Sequence, residues 1–371
     1  MSLHLSAAKK LHAFNPAGCH ALLGLDGFVD NIIDVVDKRS DFENYSRIET
    51  IDLLAGRIGR AAGLSSNLEL VVRQMKLGGN GPIMANALIE AGCQVSYIGS
   101  VGRPAIHPVF AEMAARCSEC IGLCDPGHTD ALEFRDGKLM LGKHQTLKEV
   151  TYERMLDVVG IQRMRQAWER SHLVALTNWT MLPRQTDIWK GLLRDMAGVK
   201  VPKDAILFID LADPEKRLAD ELSAACLLLK RFRSSHRVIL GLNQKESMEV
   251  GAALQLKLNP ADLQGNASAL QNILELDMVV IHPTKEAACA TKNGTARVDG
   301  PYCENPMLTT GAGDNFNAGL CLGLLAGIEA EELLLIGAAA SGFYVRNGRS
   351  AKASELCRFL EQLAAPEGVP S

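Results

Sequence analysis

Thr309-Thr310-Gly311-Ala312-Gly313-Asp314-Asn315-Phe316-Asn317-Ala318-Gly319 runs without a break into the apolar stretch Leu320 to Ala326. Two glycines separated by one residue let the backbone approach a ligand closely. The apolar run behind them predicts a helix that starts at the turn. The first turn of such a helix has unpaired N–H groups backed by the helix dipole, and so favours a negatively charged phosphoryl group. Asp314 beside that hole can take a proton from an attacking hydroxyl, which sets nucleophile activation next to charge stabilisation. On spacing alone, Asp314 is equally well read as a helix-start acid after a glycine turn. A dinucleotide fingerprint fails because the sixth position from Gly311 is Phe316, and no GxxxxGK[ST] phosphate loop occurs in the chain.

Upstream, residues 19–25 (Cys-His-Ala-Leu-Leu-Gly-Leu) form an apolar run ending at Asp26-Gly27, the pattern of a buried strand opening into a loop. A charged, helix-favouring stretch is expected to about residue 76. Then comes Leu77-Gly78-Gly79-Asn80-Gly81-Pro82, a helix from Ile83 to Ala91 stopped by Gly92, and a strand from Gln94 to Gly99. Strand, glycine-rich turn, helix and strand in succession predict an α/β fold with a parallel sheet covered by helices. Leu173 to Leu176, Ala205 to Asp210, Arg237 to Leu240 and Met278 to Ile281 continue the rhythm. Asn178, Asp210, Asp213, Asn243 and Glu246 would then gather along the carboxyl edge of the sheet, where open α/β sheets bind ligands. Ala131 to Leu141 alternates on both sides of Asp136-Gly137, which predicts a hairpin: a lid pair, or equally a plain surface hairpin.

The 371 residues are 47% hydrophobic and 22% charged, enough to bury a sizeable core. A net charge of −4 gives no basic field to draw nucleic acid or a membrane surface, so an anionic ligand must be held locally. Apolar runs such as Leu320 to Leu325 are far short of a bilayer span, and the N-terminus lacks a signal pattern, which predicts a soluble cytoplasmic protein. Among the ten cysteines, Cys117, Cys120 and Cys124 have suggestive spacing, with His128 as a fourth candidate ligand. No second pair follows, and reduced thiols are the expected reading over zinc.

The stretch Thr309 to Asp314, with Phe316, Ala318 and Gly319, resembles the Asp-Thr-x-Gly-Ala-Gly-Asp motif of the ribokinase-like, or PfkB, carbohydrate kinases. Gly78-Gly79, with Tyr97-Ile-Gly-Ser-Val-Gly102, resembles that family's early Gly-Gly signature, and Asn243-Gln-Lys-Glu246 its Asn-x-x-Glu motif. The resemblance covers most of the chain. It implies one kinase domain over residues 1–371, with a doubly wound, mainly parallel sheet and a small β lid at approximately 30–50 and 120–147. It implies Asp314 as base, and Gly311, Ala312 and Gly313 as anion hole. Asp30, with Asp26 as second candidate, would bind substrate hydroxyls, together with Gly78, Gly79, Asn80 and Asn178. Asn243, Glu246, Thr309, Thr310 and Asn347 would serve the nucleotide, Glu246 holding magnesium indirectly. Without the resemblance, Asn243 and Glu246 read as a solvated helix-start pair, Asp26 and Asp30 as loop acids, and Asn178 as a turn residue.

The expected chemistry is ATP- and Mg²⁺-dependent phosphorylation of a small sugar or sugar-like alcohol, with a monovalent cation and a homodimer through the lid as further expectations. A nucleoside kinase and a catalytically silent binding protein are the alternatives. The chain departs from the pattern at four places. Leu308 replaces the motif's leading aspartate, and His282-Pro283-Thr284 replaces Thr-x-Gly, with Lys285 as a substitute charge. Ile83 stands where an asparagine is expected, and Arg103-Pro104-Ala105-Ile106 replaces Asp-x-x-Gly. A phosphosugar would need basic side chains, for which Arg103, Lys143 and His144 are candidates; an unphosphorylated substrate is expected.

Overall fold

The structure, a computed structural model, describes residues 2–365. α1 (Leu3–Ala13) leads into β1 (His20–Gly24). The chain then departs into β2 (Phe28–Arg39), β3 (Tyr45–Arg47), α2 (Ile51–Arg60) and β4 (Leu70–Gly78). It returns through α3 (Asn80–Glu90), β5 (Gln94–Gly99), α4 (Ala111–Arg116) and β6 (Glu119–Gly122). The hairpin read at Asp136-Gly137 is β7 (Gly127–Phe134) and β8 (Gly137–Lys143). Helices and buried strands then alternate: α5 (Tyr152–Val158), α6 (Ile161–Arg170), β9 (Leu173–Leu176), α7 (Gln185–Asp195), β10 (Ile206–Asp210), α8 (Ala219–Leu228), β11 (Arg237–Leu242), α9 (Gln244–Ala253), α10 (Leu263–Leu274) and β12 (Met278–Ile281). A hairpin of β13 (Glu286–Thr291) and β14 (Gly294–Asp299) precedes α11 (Ala312–Leu325), α12 (Ala330–Asn347) and α13 (Ala353–Leu363).

A nine-stranded sheet has the order β14-β13-β12-β11-β10-β9-β1-β5-β6, parallel except where β13 pairs with its neighbours. β9 and β10 are buried on both faces, which is why they read as unbroken apolar runs rather than alternating ones. Ile206 and Phe208 face a core shared with α3, α11 and α12, while Leu207 and Ile209 face the core under α6, α7, α8 and α10. The strand order reverses around β1, which pairs with β9 on one side and β5 on the other. The crevice at such a reversal is where carboxyl-end loops can hold a ligand.

The second, smaller sheet stands over that edge. β2 pairs antiparallel with β4 and β3 and parallel with β7, which pairs with β8. One face is closed by Ile33, Val35, Leu132 and Phe134 packed against Ile48 and Leu54. The other carries Asp30 and Thr129, side by side in the β2–β7 register, toward the large sheet. The helix-favouring reading to residue 76 is corrected here: α2 ends at Arg60, and Leu70–Gly78 is a strand. Leu70, Val71 and Val72 suit a pleated surface, and the β2 edge offers this stretch a ladder of cross-strand pairs. The small sheet therefore draws on a third stretch beyond 30–50 and 120–147. Among the described residues, no helix is long and apolar enough to cross a membrane.

Candidate active site

Asp314 is the third residue of α11, whose N-cap Gly311 has φ +94°. A Cβ at Gly311 would stand 2.9 Å from the Tyr344 hydroxyl and 3.1 Å from Ile83, so both the backbone and the packing require glycine there. The hydroxyl of Tyr344 donates to Thr310 O at 2.9 Å and pins the turn from behind. Asp314 is buried, and its Oδ1 accepts from Asn80 Nδ2 at 2.8 Å. Burial pushes its carboxyl up to about 8; the Asn80 bond works against this, and the nearby charges of Asp26 and Glu246 add to it. A carboxyl poised near neutrality is suited to taking a proton from an alcohol. Asn80, three residues before the position where an asparagine is expected, reaches Asp314, and Ile83 instead packs on the Gly311 turn.

α3 is set by Asp26, which is wholly buried just past β1. Its oxygens accept from the N–H groups of Asn80 and Gly81, each at 2.9 Å, and from Asn178 Nδ2 at 2.8 Å. Burial raises this carboxyl to about 6 against those three donors. Asp26, the second substrate candidate, lies behind the cavity wall with its oxygens accepting from the start of α3 and from Asn178. Gly79 (φ +97°) would place a Cβ 2.8 Å from Asp26 Oδ2, and a Cβ on Gly78 would overlap the Asp30 carboxylate. The two glycines are therefore spacers around two acids.

Asp30 faces a cavity of about 400 Å³ that also takes in Asn80, Thr129, Asn178, Gly311 and Asp314. Phe28, Met140 and Met181 make its apolar sides. Asn178 reaches it from a left-handed backbone (φ 58°), bridging the wall to Asp26. Of the basic candidates, Arg103 donates to Gly122 O outside this cavity, and Lys143 pairs with Asp130 at 2.7 Å. His144 does line it, edge-on to Phe28 at 5.3 Å, and burial lowers its pKa. Lys216 also lines it and pairs with Asp213 at 2.8 Å.

On the far side of Asp314 lies a cavity of about 460 Å³ that Thr309, Gly311, Ala312 and Gly313 share with Asn243 and Glu246. Asn243 caps α9 by accepting from Glu246 N at 2.9 Å, and Glu246 returns a bond from Asn243 N at 2.8 Å. The other Glu246 oxygen accepts from Asp213 N at 3.0 Å. The motif is thus a capping box with its acid turned to the cavity, and burial raises that acid's pKa. Asn347 is not brought here: its amide donates to Phe343 O within α12, and Ser341, Gly342 and Val345 line the cavity instead.

Asp210 was placed on the carboxyl edge from sequence but given no role. Ending β10, it lines the same cavity; its Oδ2 accepts from Asn317 Nδ2 at 2.8 Å, and its Oδ1 has no partner among the described residues. Burial, then the charges of Glu246 and Asp314, push its carboxyl well up. The available signal was Asn317, one turn after Asp314 and on the same helix face. Buried Asp210 and Asp314 are each raised further by the charge of Glu246, and Asp210 keeps a bare oxygen, an arrangement that fits a divalent cation as neutraliser. Among the described residues, no three His, Cys, Asp or Glu side chains converge on one point, so remaining oxygens would come from phosphates and water. The ten cysteines are free thiols.

Solved structures share this architecture. Phosphofructokinase-2 from Escherichia coli, in a complex with potassium, superposes with a TM-score of 0.64 at 14% identity, covering 92% of this chain and 99% of that one. Ribokinase from Thermotoga maritima gives 0.62 at 15%, covering 92% and 99%. A nucleoside kinase of Methanocaldococcus jannaschii gives 0.59 at 12%, covering 92% and 98%. These likenesses show that the molecule has the ribokinase-like fold. The family model described as prokaryotic ketohexokinase matches residues 4–363, and the chain belongs to that family. The ketohexokinase of Haloferax volcanii is 28% identical over 344 residues, 92% of this chain and 91% of its own.

Proposed function

We propose that this kinase transfers the γ-phosphoryl of ATP to a hydroxyl of an unphosphorylated ketohexose, with Asp314 as the general base. The observation that carries it is the position of Asp314: a buried carboxyl raised to about 8, between a polar sugar-sized cavity and the Gly311–Gly313 turn. Family membership supports the ketohexose. Asp30, Asn80 and Asn178 offer the hydroxyl-binding groups, and Lys143 and Lys216 are already paired with acids, which suits an uncharged sugar.

The N–H groups of Ala312, Gly313 and Asp314 would hold the transferring phosphoryl, so that charge builds where donors already point. Magnesium, held near Glu246 and Asp210 through phosphate oxygens, would neutralise the phosphate chain. The small sheet would act as a lid: Lys138 on β8 already donates to Thr310 Oγ1 at 3.4 Å. Leu70, Val72 and Met75, exposed on edge strand β4, support pairing of two copies through this sheet, which sedimentation of wild type and Val72→Lys would read. Ten free thiols support a cytoplasmic setting.

ADP release should be measured with Mg²⁺ over ketohexoses, aldoses, polyols, phosphosugars and nucleosides. The reading expects the highest kcat/KM for a ketohexose. A nucleoside or phosphosugar turned over faster, or no ADP release with any acceptor, would overturn it.

A further inference from the structure

His282 follows β12 directly and closes the wall of the cavity that Asp210, Glu246 and Gly313 share. Its ring is stacked on Phe316 with centroids 4.3 Å apart and planes 19° from parallel, so it is held flat against the first turns of α11. The ring edge at Cε1 lies 3.6 Å from where a Cβ on Gly313 would stand. The backbone at Gly313 is not in the left-handed region, so glycine is not demanded there by conformation; the missing side chain leaves the ring edge and the helix N–H groups facing one approach. Nε2, bonded to that Cε1, is buried and has no hydrogen-bond partner among the described residues. An aromatic platform for Phe316 would need no such nitrogen: phenylalanine would stack as well without leaving a polar atom unpaired.

We propose that His282 is a binding residue for the phosphate chain of the nucleotide, its Nε2–H donating to a phosphoryl oxygen held at the Gly311–Gly313 turn. This rests on the reading of that turn as a phosphoryl site. Burial lowers the imidazole to about 4, so the free ring is neutral near pH 7 and carries one N–H. A ligand oxygen beside Gly313 turns the Nε2 tautomer from an unpaired group into a donor. The histidine thereby supplies a side-chain contact where the remaining donors are backbone groups.

Calorimetric binding of a non-hydrolysable ATP analogue with Mg²⁺, and of adenosine, separates this role from stacking. His282→Phe, which keeps the stack, and His282→Ala should each weaken the analogue roughly 10–100-fold, the loss of one hydrogen bond to a charged group. Adenosine affinity should not move. His282→Gln, which keeps an N–H, should restore most of the loss, and KM for ATP should follow the same order. A Phe variant that binds the analogue as wild type does, or equal losses for analogue and adenosine, would overturn the proposal. Failure to phosphorylate a ketohexose would strike the substrate assignment alone, since neither binding measurement involves an acceptor.

Discussion

At Asp314 the competing influences are burial, the Asn80 bond and the neighbouring acids, and burial wins. The residue therefore resists ionising in the free protein, with its carboxyl raised to about 8. Two consequences follow from one shift. As a base it must be charged, so kcat/KM for the sugar should rise with pH along a limb near 8, and Asp314→Asn should lower kcat by about 10²–10⁴-fold. For stability the sign is opposite. A folded-state pKa raised above the unfolded value gives a contribution that is complete in acid and disappears as pH climbs through the folded pKa. Asp314→Asn, which cannot ionise, should therefore melt higher than wild type at pH 8 to 9. A variant with normal turnover, or with a lower Tm there, would contradict the assignment. The Asn80 amide favours the charged form, so Asn80→Ala should move the kinetic limb to still higher pH while lowering kcat, and a limb moving toward acid would count against the pairing.

At the scale of elements, the site is built from helix starts. α3 begins on Asp26, α9 on the Asn243–Glu246 box, and α11 on Gly311. Each start lies at the same carboxyl edge, where helix N–H groups and dipoles favour the buried acids gathered there. Gly79 is the tightest joint: its positive φ and the 2.8 Å approach of Asp26 leave no room for a methyl group. Gly79→Ala should destabilise the protein by roughly 1–3 kcal/mol and reduce kcat by displacing Asn80, read by thermal unfolding alongside turnover. An unchanged Tm would show that the joint is softer than this geometry implies. The glycines and the Asn-x-x-Glu spacing were visible in the chain. That Glu246 spends both oxygens on backbone N–H groups was not, because the second donor, Asp213, lies 33 residues away.

At the scale of the whole molecule, two sheets meet over one edge. The large sheet is buried on both faces, whereas the small one leans on a modest cluster around Ile33 and Phe134 and touches the glycine-rich turn through Lys138. Elements with few buried contacts open most readily. Hydrogen exchange should therefore be fastest in β4 and β8, and sugar with an ATP analogue should slow it there by at least several-fold while β9 and β10 stay protected throughout. Equal protection with and without ligands would argue against closure of the small sheet.

The alternation of apolar runs with helices, and the Gly311–Asp314 turn before an apolar helix, were sufficient in sequence alone to determine a parallel sheet and a helix that starts on a glycine-rich turn. Those features are local: period, glycine and cap chemistry act over a few residues. Burial, pairing and distance are not local, and only the tertiary structure decided them. It turned the expected helix near residue 76 into strand β4, because β2 offered it partners. It set Asp26 behind the cavity wall and tied Asn347 to Phe343 O within α12, because each finds its hydrogen bonds there. It brought Asp210 and His282 to one cavity, where their unpaired atoms become meaningful only once β10, β12 and α11 stand side by side.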